Sequence, residues 1–480
     1  MSDSTGTLTL IHTNDIHSHF EEAFRIAAYI REIKERCPSD DLLLLDCGDF
    51  LDRARMETEG TNGGANRALL DHLGYDAVGM GNNEGLSYTR EQLDELFAGA
   101  PYPVVCANLI ETGTGTHPEW MKPYAIIERA GLRVALLGLT AAFGDFYELL
   151  GWTATDPLQA AERYVPELRR QADLVVILSH LGLRHDERMA SAVDGIDLIL
   201  GAHTHHLLEV PLRVGNTMIC AAGKFGRYVG TVTVRRDSAS GALRIEGSAD
   251  PTEAYPADPA AAGLIEEYRK RAIAAMSGTI ATLQEPLELR VDKESPLGTL
   301  LAAAVRRVTG ARIGLVNSGQ LLGGFPAGPV TELDVHSVCP SPINPCLILL
   351  KGSRLKEALE ESLLPEFIGF EFQGFGFRGR VLGTLSVDGI EWVIDESKPP
   401  REKVVSVIVD GEPLDENAEY AIGTLDMFTF GIGYLGLKEG RVLNYFLPEF
   451  IRDVLAEALR DEFALRDCRR LRRHPVSVIG

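Results

Sequence analysis

The sequence predicts an α/β protein of two domains, with polar clusters at the carboxyl ends of its strands. At 480 residues the chain exceeds what one hydrophobic core usually organises. From Thr7 to about Thr233, short apolar runs alternate with amphipathic helical stretches, the pattern of a parallel or mixed sheet covered by helices. Five polar clusters each end an apolar run: Asp15-Ile16-His17, Gly48-Asp49, Gly81-Asn82-Asn83-Glu84, Ser179-His180 and His203-Thr204-His205. In an open α/β sheet the ligand crevice lies beyond the carboxyl ends of the strands, where residues distant in sequence meet.

In chain order, residues 7–11, 42–45, 76–80, 174–178 and 197–200 read as short buried strands, rich in Leu, Ile and Val. Between them, residues 22–36, 89–98 and 160–171 carry the period of amphipathic helices. Residues 218–222 and 228–235 are expected as antiparallel additions. Residues 249–261 hold three prolines and several small residues, a linker composition, and 262–276 reads as a charged amphipathic helix. The expected division is a first domain over 1–250, a linker and connecting helix over 251–280, and a second α/β domain over 281–480. In the second domain a helix is expected over 296–309, a strand over 312–317 and a helix over 353–362.

A formal charge of -22, from 69 acidic and 47 basic side chains, argues against nonspecific binding to nucleic acid or acidic lipid. Small anionic substrates are compatible with it if metal ions neutralise them. No segment approaches the ~18 apolar residues of a membrane span, and Met1 to Thr9 lacks the basic-then-apolar pattern of an export leader. Seven cysteines, odd in number and without a CxxC, read as reduced core thiols. The expected location is cytoplasmic, with no nucleic acid or membrane partner and an oligomeric state the sequence leaves open. The basic stretch from Arg469 to Arg473 reads as a solvated terminal face.

Taken singly, a loop aspartate, a turn asparagine and a strand-end histidine are ordinary. Together, Asp15, His17, Asp49, Asn82, His180, His203 and His205 place metal-competent side chains at the tips of five expected strands. Asp15 and His17, like His203 and His205, are two apart, a spacing that turns both side chains one way in extended chain. Mixed Asp, His and Asn donors suit first-row ions such as Mn, Zn, Fe, Co or Ni, and the donor list does not choose among them. Two divalent ions sharing one carboxylate are the natural solution, because a pair ~3.5–4 Å apart can ionise water and clamp phosphoryl oxygens.

The segments HTNDIHSHF, DCGDFLD, GNNE, SHLG and GAHTHH resemble the motifs of calcineurin-like metallophosphoesterases. With the second domain, the order resembles the bacterial 5′-nucleotidase family, which includes UDP-sugar hydrolases and 2′,3′-cyclic phosphodiesterases. The resemblance implies a four-layer α/β/β/α catalytic domain followed by a smaller α/β domain that sets nucleotide specificity. It implies that Asp15, His17, Asp49 and His205 hold one metal and that Asp49, Asn82, His180 and His203 hold the other, with Asp49 as bridge. It also implies a nucleotide-like small-molecule substrate attacked by metal-bound hydroxide.

One departure stands out. The family's usual Gly-Asn-His-Glu reads Gly81-Asn82-Asn83-Glu84 here, and Leu86 replaces the Asp that partners the histidine. This version resembles a cytosolic branch of Gram-positive bacterial homologues. General-acid assistance is worth ~10²–10⁴ in rate, so its loss predicts a slower enzyme biased toward good leaving groups. Asn83 could still donate a neutral hydrogen bond, and His19 and His206 are candidate replacement acids, with a supporting or surface role as the alternative. The rival readings are a metal-dependent nucleotide sensor without turnover and, on charge grounds less apt, a nuclease.

In the second domain, Val316-Asn317-Ser318-Gly319-Gln320 resembles the family's Asn-Gly-Gly strand end, making Asn317 a candidate substrate contact, with Leu322 where an anchoring arginine is expected. Gly374-Phe375-Gly376-Phe377-Arg378-Gly379 is a glycine-aromatic loop, and Phe428 and Phe430 lie in a second aromatic segment, where Ile432 stands in an expected Asp position. Phe375, Phe377, Phe428 and Phe430 are candidates to stack on a base, with packing as their alternative role. Arg378 is a candidate phosphate contact, with a surface ion pair as its alternative.

Overall fold

The structure is a computed structural model in which residues 6–237 and 240–476 are described. Met1–Thr5, which carry part of the leader reading, lie outside them. The chain divides into two compact units, Met1–Ala272 and Ile273–Gly480.

The strands of the first unit are β1 (Thr7–Thr13), β2 (Leu42–Asp46), β3 (Ala77–Gly79), β4 (Val104–Val105), β5 (Leu109–Glu111), β6 (Met121–Lys122), β7 (Tyr124–Arg129), β8 (Leu132–Thr140), β9 (Trp152–Ala154), β10 (Leu174–His180), β11 (Leu198–Gly201), β12 (Leu212–Val214), β13 (Thr217–Cys220), β14 (Tyr228–Arg236) and β15 (Leu243–Pro251). One sheet has the order β15-β14-β1-β2-β3-β4-β6 and a second the order β12-β13-β11-β10-β8-β7, while β5 and β9 pair separately. Alternation along the strands builds the layers. Val134, Leu136, Val176 and Leu178 point inward to meet Leu8, Leu10, Leu43 and Leu45 of the first sheet. Ala135, Leu137, Val175 and Ile177 point outward, under Ala161, Val165 and Leu168 of the helix Pro157–Gln171 and Met189 of the helix Leu183–Ala192. On the opposite side, the helix Phe20–Arg36 buries Ile26, Ala27 and Ile30, and its Tyr29 hydroxyl meets Thr231 Oγ1 of β14 at 2.6 Å. Burying each such Leu, Ile or Val side chain stabilises by ~1.5–3 kcal/mol. Helix, sheet, sheet and helix are thus four layers.

Strands β1, β2 and β3 run parallel, as do β8, β10 and β11, so the tips carrying the polar clusters lie at the carboxyl ends of two parallel sets. The strand β14 is antiparallel to β1, as expected. The strand β13 corrects the reading of 218–222: it runs parallel to β11 and antiparallel only to β12. The chain reverses into β12 and again into β13, which restores the original direction. The helix expected from Ala262 begins at Pro259, because Asp258 Oδ1 accepts from the N–H groups of Ala260 and Ala261, both at 2.9 Å.

The second unit has β16 (Thr279–Leu283), β17 (Ile313–Asn317), β18 (Gly328–Thr331), β19 (Pro345–Lys351), β20 (Leu385–Asp388), β21 (Ile390–Ile394), β22 (Val404–Val409), β23 (Glu412–Pro413), β24 (Glu419–Leu425), β25 (Arg441–Tyr445) and β26 (Arg473–Pro475). They form sheets ordered β20-β17-β24-β19-β25 and β23-β22-β21-β26 and a pair β16-β18. The helix Pro296–Thr309 supplies Leu297, Leu300, Leu301 and Val305 to a core shared with Ile313, Leu315 and Ile422. The basic stretch is not merely solvated. Arg472 is buried with Asp388 at 3.0 Å, and Arg473–Pro475 pair with β21. A carboxylate on β20 gives this arginine a partner that sequence proximity could not reveal.

Candidate metal centre

The loops after β1 and β2 remain zipped beyond the strands: Asp15 N–H donates to Gly48 O at 3.0 Å and His17 N–H to Asp49 O at 2.9 Å. This holds the two ligand loops side by side. Asp15, His17, Asp49, His203 and His205 all have positive φ, between 48° and 71°. That conformation is uncommon outside glycine, and strain of this kind collects at functional sites. Gly48 and Gly81 bring a third loop in. A Cβ on Gly81 would lie 2.1 Å from Asp49 Oδ1, and one on Gly48 would lie 2.3 Å from Gly81 N.

The side chains converge accordingly. His17 Nε2 is 3.2 Å from His205 Nε2, and Asp15 Oδ1 is 3.9 Å from His17 and 3.5 Å from His205. Asp49 Oδ2 lies 3.2 Å from His180 Nε2 and 3.9 Å from His17 Nε2. Two overlapping donor groups result, Asp15 with His17 and His205, and Asp15 with Asp49 and His180. The His203 ring is 5.3 Å from the His180 ring, and its backbone N–H donates to Asp15 Oδ2 at 3.0 Å. Asn82 Oδ1 is buried without a hydrogen-bond partner.

Burial pushes the Asp15 carboxyl up to about 7, with the Asp49 charge adding to it. Burial also opposes charge on Asp49, but His180 and His17 outweigh it and hold that carboxyl below its ordinary value. His180 is pushed up to about 10, because Asp49 and Asp15 overcome its desolvation. His203 falls to about 4 and His205 to about 3, chiefly by burial. Two carboxylates packed against a fully buried imidazole favour positive charge among them, as at a cation site. Metal donors at 2.0–2.2 Å from one ion stand ~3–3.5 Å apart, as His17 and His205, and Asp49 and His180, do. His180 Nδ1 is 2.9 Å from Cys47 O, which fixes the tautomer that leaves Nε2 as a donor to metal. The residues fit a divalent metal.

Several neighbours escape the sequence reading. Glu84 is 3% exposed and accepts from the N–H groups of Asp49 at 2.9 Å, Leu51 at 2.9 Å and Gly81 at 3.0 Å. Asn14 Nδ2 donates to Asp15 Oδ2 at 2.8 Å and to Gly223 O at 2.7 Å. Asp52 Oδ2 lies 3.6 Å from His17 Nδ1. Their presence inside the motifs was the only sequence signal.

Asn83 sits at this centre. Its Nδ2 lies 3.0 Å from His17 Nδ1 and 3.2 Å from Leu51 O, so its amide is engaged with the ligand loops. His19 stacks on Phe225 with centroids 3.9 Å apart, and its Nδ1 is 3.0 Å from His17 O. His206 is exposed, with Nδ1 2.8 Å from Thr204 Oγ1.

In the second unit the candidates separate. Phe375 and Phe430 are 49% and 42% exposed and stack with centroids 5.7 Å apart. Phe377 and Phe428 are buried in the core, and Phe377 stacks on Phe372, so neither offers a face to a ligand in this conformation. Asn317 is buried, donating to Leu382 O at 2.8 Å and accepting from Gln320 at 3.0 Å. Arg378 Nη1 donates to Phe377 O at 3.1 Å.

A two-sheet sandwich that gathers Asp and His donors at the ends of its parallel strands defines a metal-binding α/β domain. The calcineurin-like phosphoesterase family matches residues 8–207, and the 5′-nucleotidase C-terminal domain matches residues 277–435. An uncharacterized metallophosphoesterase of Bacillus subtilis (strain 168), YunD, is 37% identical over 454 residues, covering 94% of this chain and 98% of that protein. A 5′-nucleotidase precursor from Thermus thermophilus is similar in structure with a TM-score of 0.59 and 26% identity, covering 98% of this chain and 99% of the other. A putative 5′-nucleotidase from Staphylococcus aureus, at 19% identity, shares the fold with a TM-score of 0.68 and covers 98% of this chain and 99% of its own. The chain belongs to the calcineurin-like metallophosphoesterases that carry a 5′-nucleotidase C-terminal domain. No helix among the described residues is long and apolar enough to cross a membrane.

Proposed function

We propose that this phosphohydrolase uses two divalent ions to cleave phosphoester or phosphoanhydride bonds of nucleotide-like small molecules. The observation that carries the reading is the pair of overlapping donor groups at the strand tips, with carboxylates of Asp15 and Asp49 between the histidines. Asp15, His17, Asp49 and His205 would hold one ion, and Asp49, Asn82, His180 and His203 the other, the unpartnered Asn82 Oδ1 serving as a donor. Bound ions of this kind lower the pKa of water and neutralise phosphoryl oxygens. Glu84 and Asn14 orient the ligand loops, and Phe375 and Phe430 are the exposed aromatic faces available to a base.

The reading extends to the leaving group. Asn83 has no titratable proton, and its amide is occupied with His17 and Leu51. A ribose 5′-alkoxide leaves poorly without a proton, whereas a phosphate or phenolate leaves well. The preferred substrates are therefore diphosphates and activated esters over nucleoside monophosphates. Seven free cysteines support a reducing, cytoplasmic setting, and the acidic balance supports a small-molecule partner over nucleic acid.

The test is hydrolysis of p-nitrophenyl phosphate, its bis-ester, AMP, 2′,3′-cyclic AMP and UDP-glucose with added Mn or Zn, using Asp49→Ala as control. Turnover lost in Asp49→Ala, with AMP the slowest substrate, is expected. Comparable rates on AMP and UDP-glucose would remove the leaving-group bias. No turnover with any ion would remove the enzyme reading.

A further inference from the structure

The loop Gly223-Lys224-Phe225-Gly226 lies against the metal centre and takes no part in holding a metal. It is pinned on both sides of Lys224: Gly223 N–H donates to His206 O at 3.0 Å and Phe225 N–H to Asp15 O at 2.7 Å. The lysine is thus fixed between two ligand loops. Phe225 has φ 64°, and Gly226, at φ 70°, passes so close to the helix Phe20–Arg36 that a Cβ would meet Ile26 Cδ1 at 2.8 Å. The loop cannot shift far without moving its neighbours.

Phe225 organises what surrounds it. His19 stacks against one face, with centroids 3.9 Å apart, and the Lys224 ammonium lies over the ring 4.7 Å from its centroid. The ring meets His17 in a T-shaped contact at 5.9 Å and stands 6.4 Å from His205. The ammonium, the ring and the ligand imidazoles His17 and His205 thus form one cluster around Phe225.

Lys224 is half-buried and, among the described residues, enters no ion pair, in a chain of net charge -22. Arg227, over the same ring at 5.8 Å, also enters none. Two cations over one aromatic ring, neither in an ion pair among the described residues, leave a place for an anion. A cation on a loop pinned to the backbone of Asp15 and His206, beside the donor atoms without being one of them, suits the phosphate next to the one under attack.

We infer that Lys224 holds the departing phosphate of a phosphoanhydride substrate, such as the α-phosphate of a nucleoside diphosphate attacked at its β-phosphorus. The inference rests on the phosphohydrolase reading and deepens it. In the step, the water oxygen bonds to the attacked phosphorus as the bond from that phosphorus to the bridging oxygen breaks. The electron pair stays on the bridging oxygen, the nucleoside monophosphate leaves, and the water proton passes to solvent. The Lys224 ammonium neutralises the charge that appears on the leaving phosphate. Electrostatic stabilisation thus stands where Asn83 cannot supply a proton.

The test compares wild type, Lys224→Met and Lys224→Arg, all loaded with Mn, on ADP and p-nitrophenyl phosphate. Alongside, calorimetry measures binding of imidodiphosphate, a non-hydrolysable diphosphate, and metal analysis measures Mn content. Lys224→Met should lower the ratio of kcat/KM on ADP to that on p-nitrophenyl phosphate by tenfold or more. It should weaken imidodiphosphate binding to a similar extent, with Mn content retained, and Lys224→Arg should recover part of both. Equal losses on both substrates, or unchanged imidodiphosphate affinity in Lys224→Met, would overturn the inference. If wild type hydrolysed neither substrate, the phosphohydrolase reading would fail by itself, and the calorimetry would still decide whether Lys224 binds a diphosphate.

Discussion

At the residue scale, the donors announced themselves because metal chemistry restricts residue type. Asp15, His17, Asp49 and His180 stand at strand ends where periodicity could place them, and the structure brings their donor atoms together. Glu84 had no such signal, because its partners are backbone N–H groups of Asp49, Leu51 and Gly81, invisible until the loops meet. Glu84→Ala would leave three buried donors unsatisfied, each worth ~1–3 kcal/mol, and would release the loop that aims Asp49. We expect a lower Tm and metal affinity reduced ~10–100-fold, the usual cost of losing a group that orients a ligand. Metal titration beside thermal melts would check this, and wild-type affinity in the variant would mean that Glu84 only packs. The same logic separates the aromatic candidates. Composition could not tell Phe375 from Phe377, because their loop reverses between them and sends one ring outward and the other into the core.

At the element scale, strand identity was legible from short apolar runs, and strand direction was not. Nothing within residues 218–222 reveals that an intervening strand turns the chain back, so β13 became parallel to β11 against expectation. Nor could the sequence reveal how closely the tips of β2 and β3 approach. Gly48 has φ 93°, and its missing Cβ would overlap Gly81 N, so Gly48→Ala combines backbone strain with a clash. Destabilisation of ~2 kcal/mol or more is expected, read by urea unfolding. A second element, the end of β24, carries a titratable liability. Burial pushes the Asp426 carboxyl up to about 7, its Oδ1 has no hydrogen-bond partner, and its Oδ2 accepts from Asn344 N–H at 3.3 Å. A carboxyl whose folded pKa is raised contributes stability at low pH that disappears as pH rises toward the folded value. Asp426→Asn keeps an acceptor and cannot ionise. Its stability relative to wild type should therefore rise by on the order of 3 kcal/mol between about pH 4.5 and 7.5, then level off. A pH-independent difference would show that Asp426 is not buried as a neutral acid.

At the scale of the whole molecule, the acidic balance and the chemistry pull against each other. A charge of -22 repels a phosphate dianion at long range, while the metal ions and Lys224 attract it at short range. The two effects differ in reach, and ionic strength separates them. The Debye length is ~30 Å at 0.01 M salt and ~8 Å at 0.15 M, so added salt removes repulsion from the distant surface while leaving contacts a few ångströms away largely intact. For the Mn-loaded enzyme, kcat/KM on the dianion p-nitrophenyl phosphate should rise ~2–3-fold between these salt concentrations, with kcat nearly constant. Its bis-ester, a monoanion, should respond about half as strongly, because the long-range work scales with substrate charge. Stopped-flow binding of imidodiphosphate would place the gain in the association rate. A fall in kcat/KM with salt would mean that the positive rim around Phe225 governs approach despite the net charge, making the local cations, rather than the acidic surface, the substrate's first encounter.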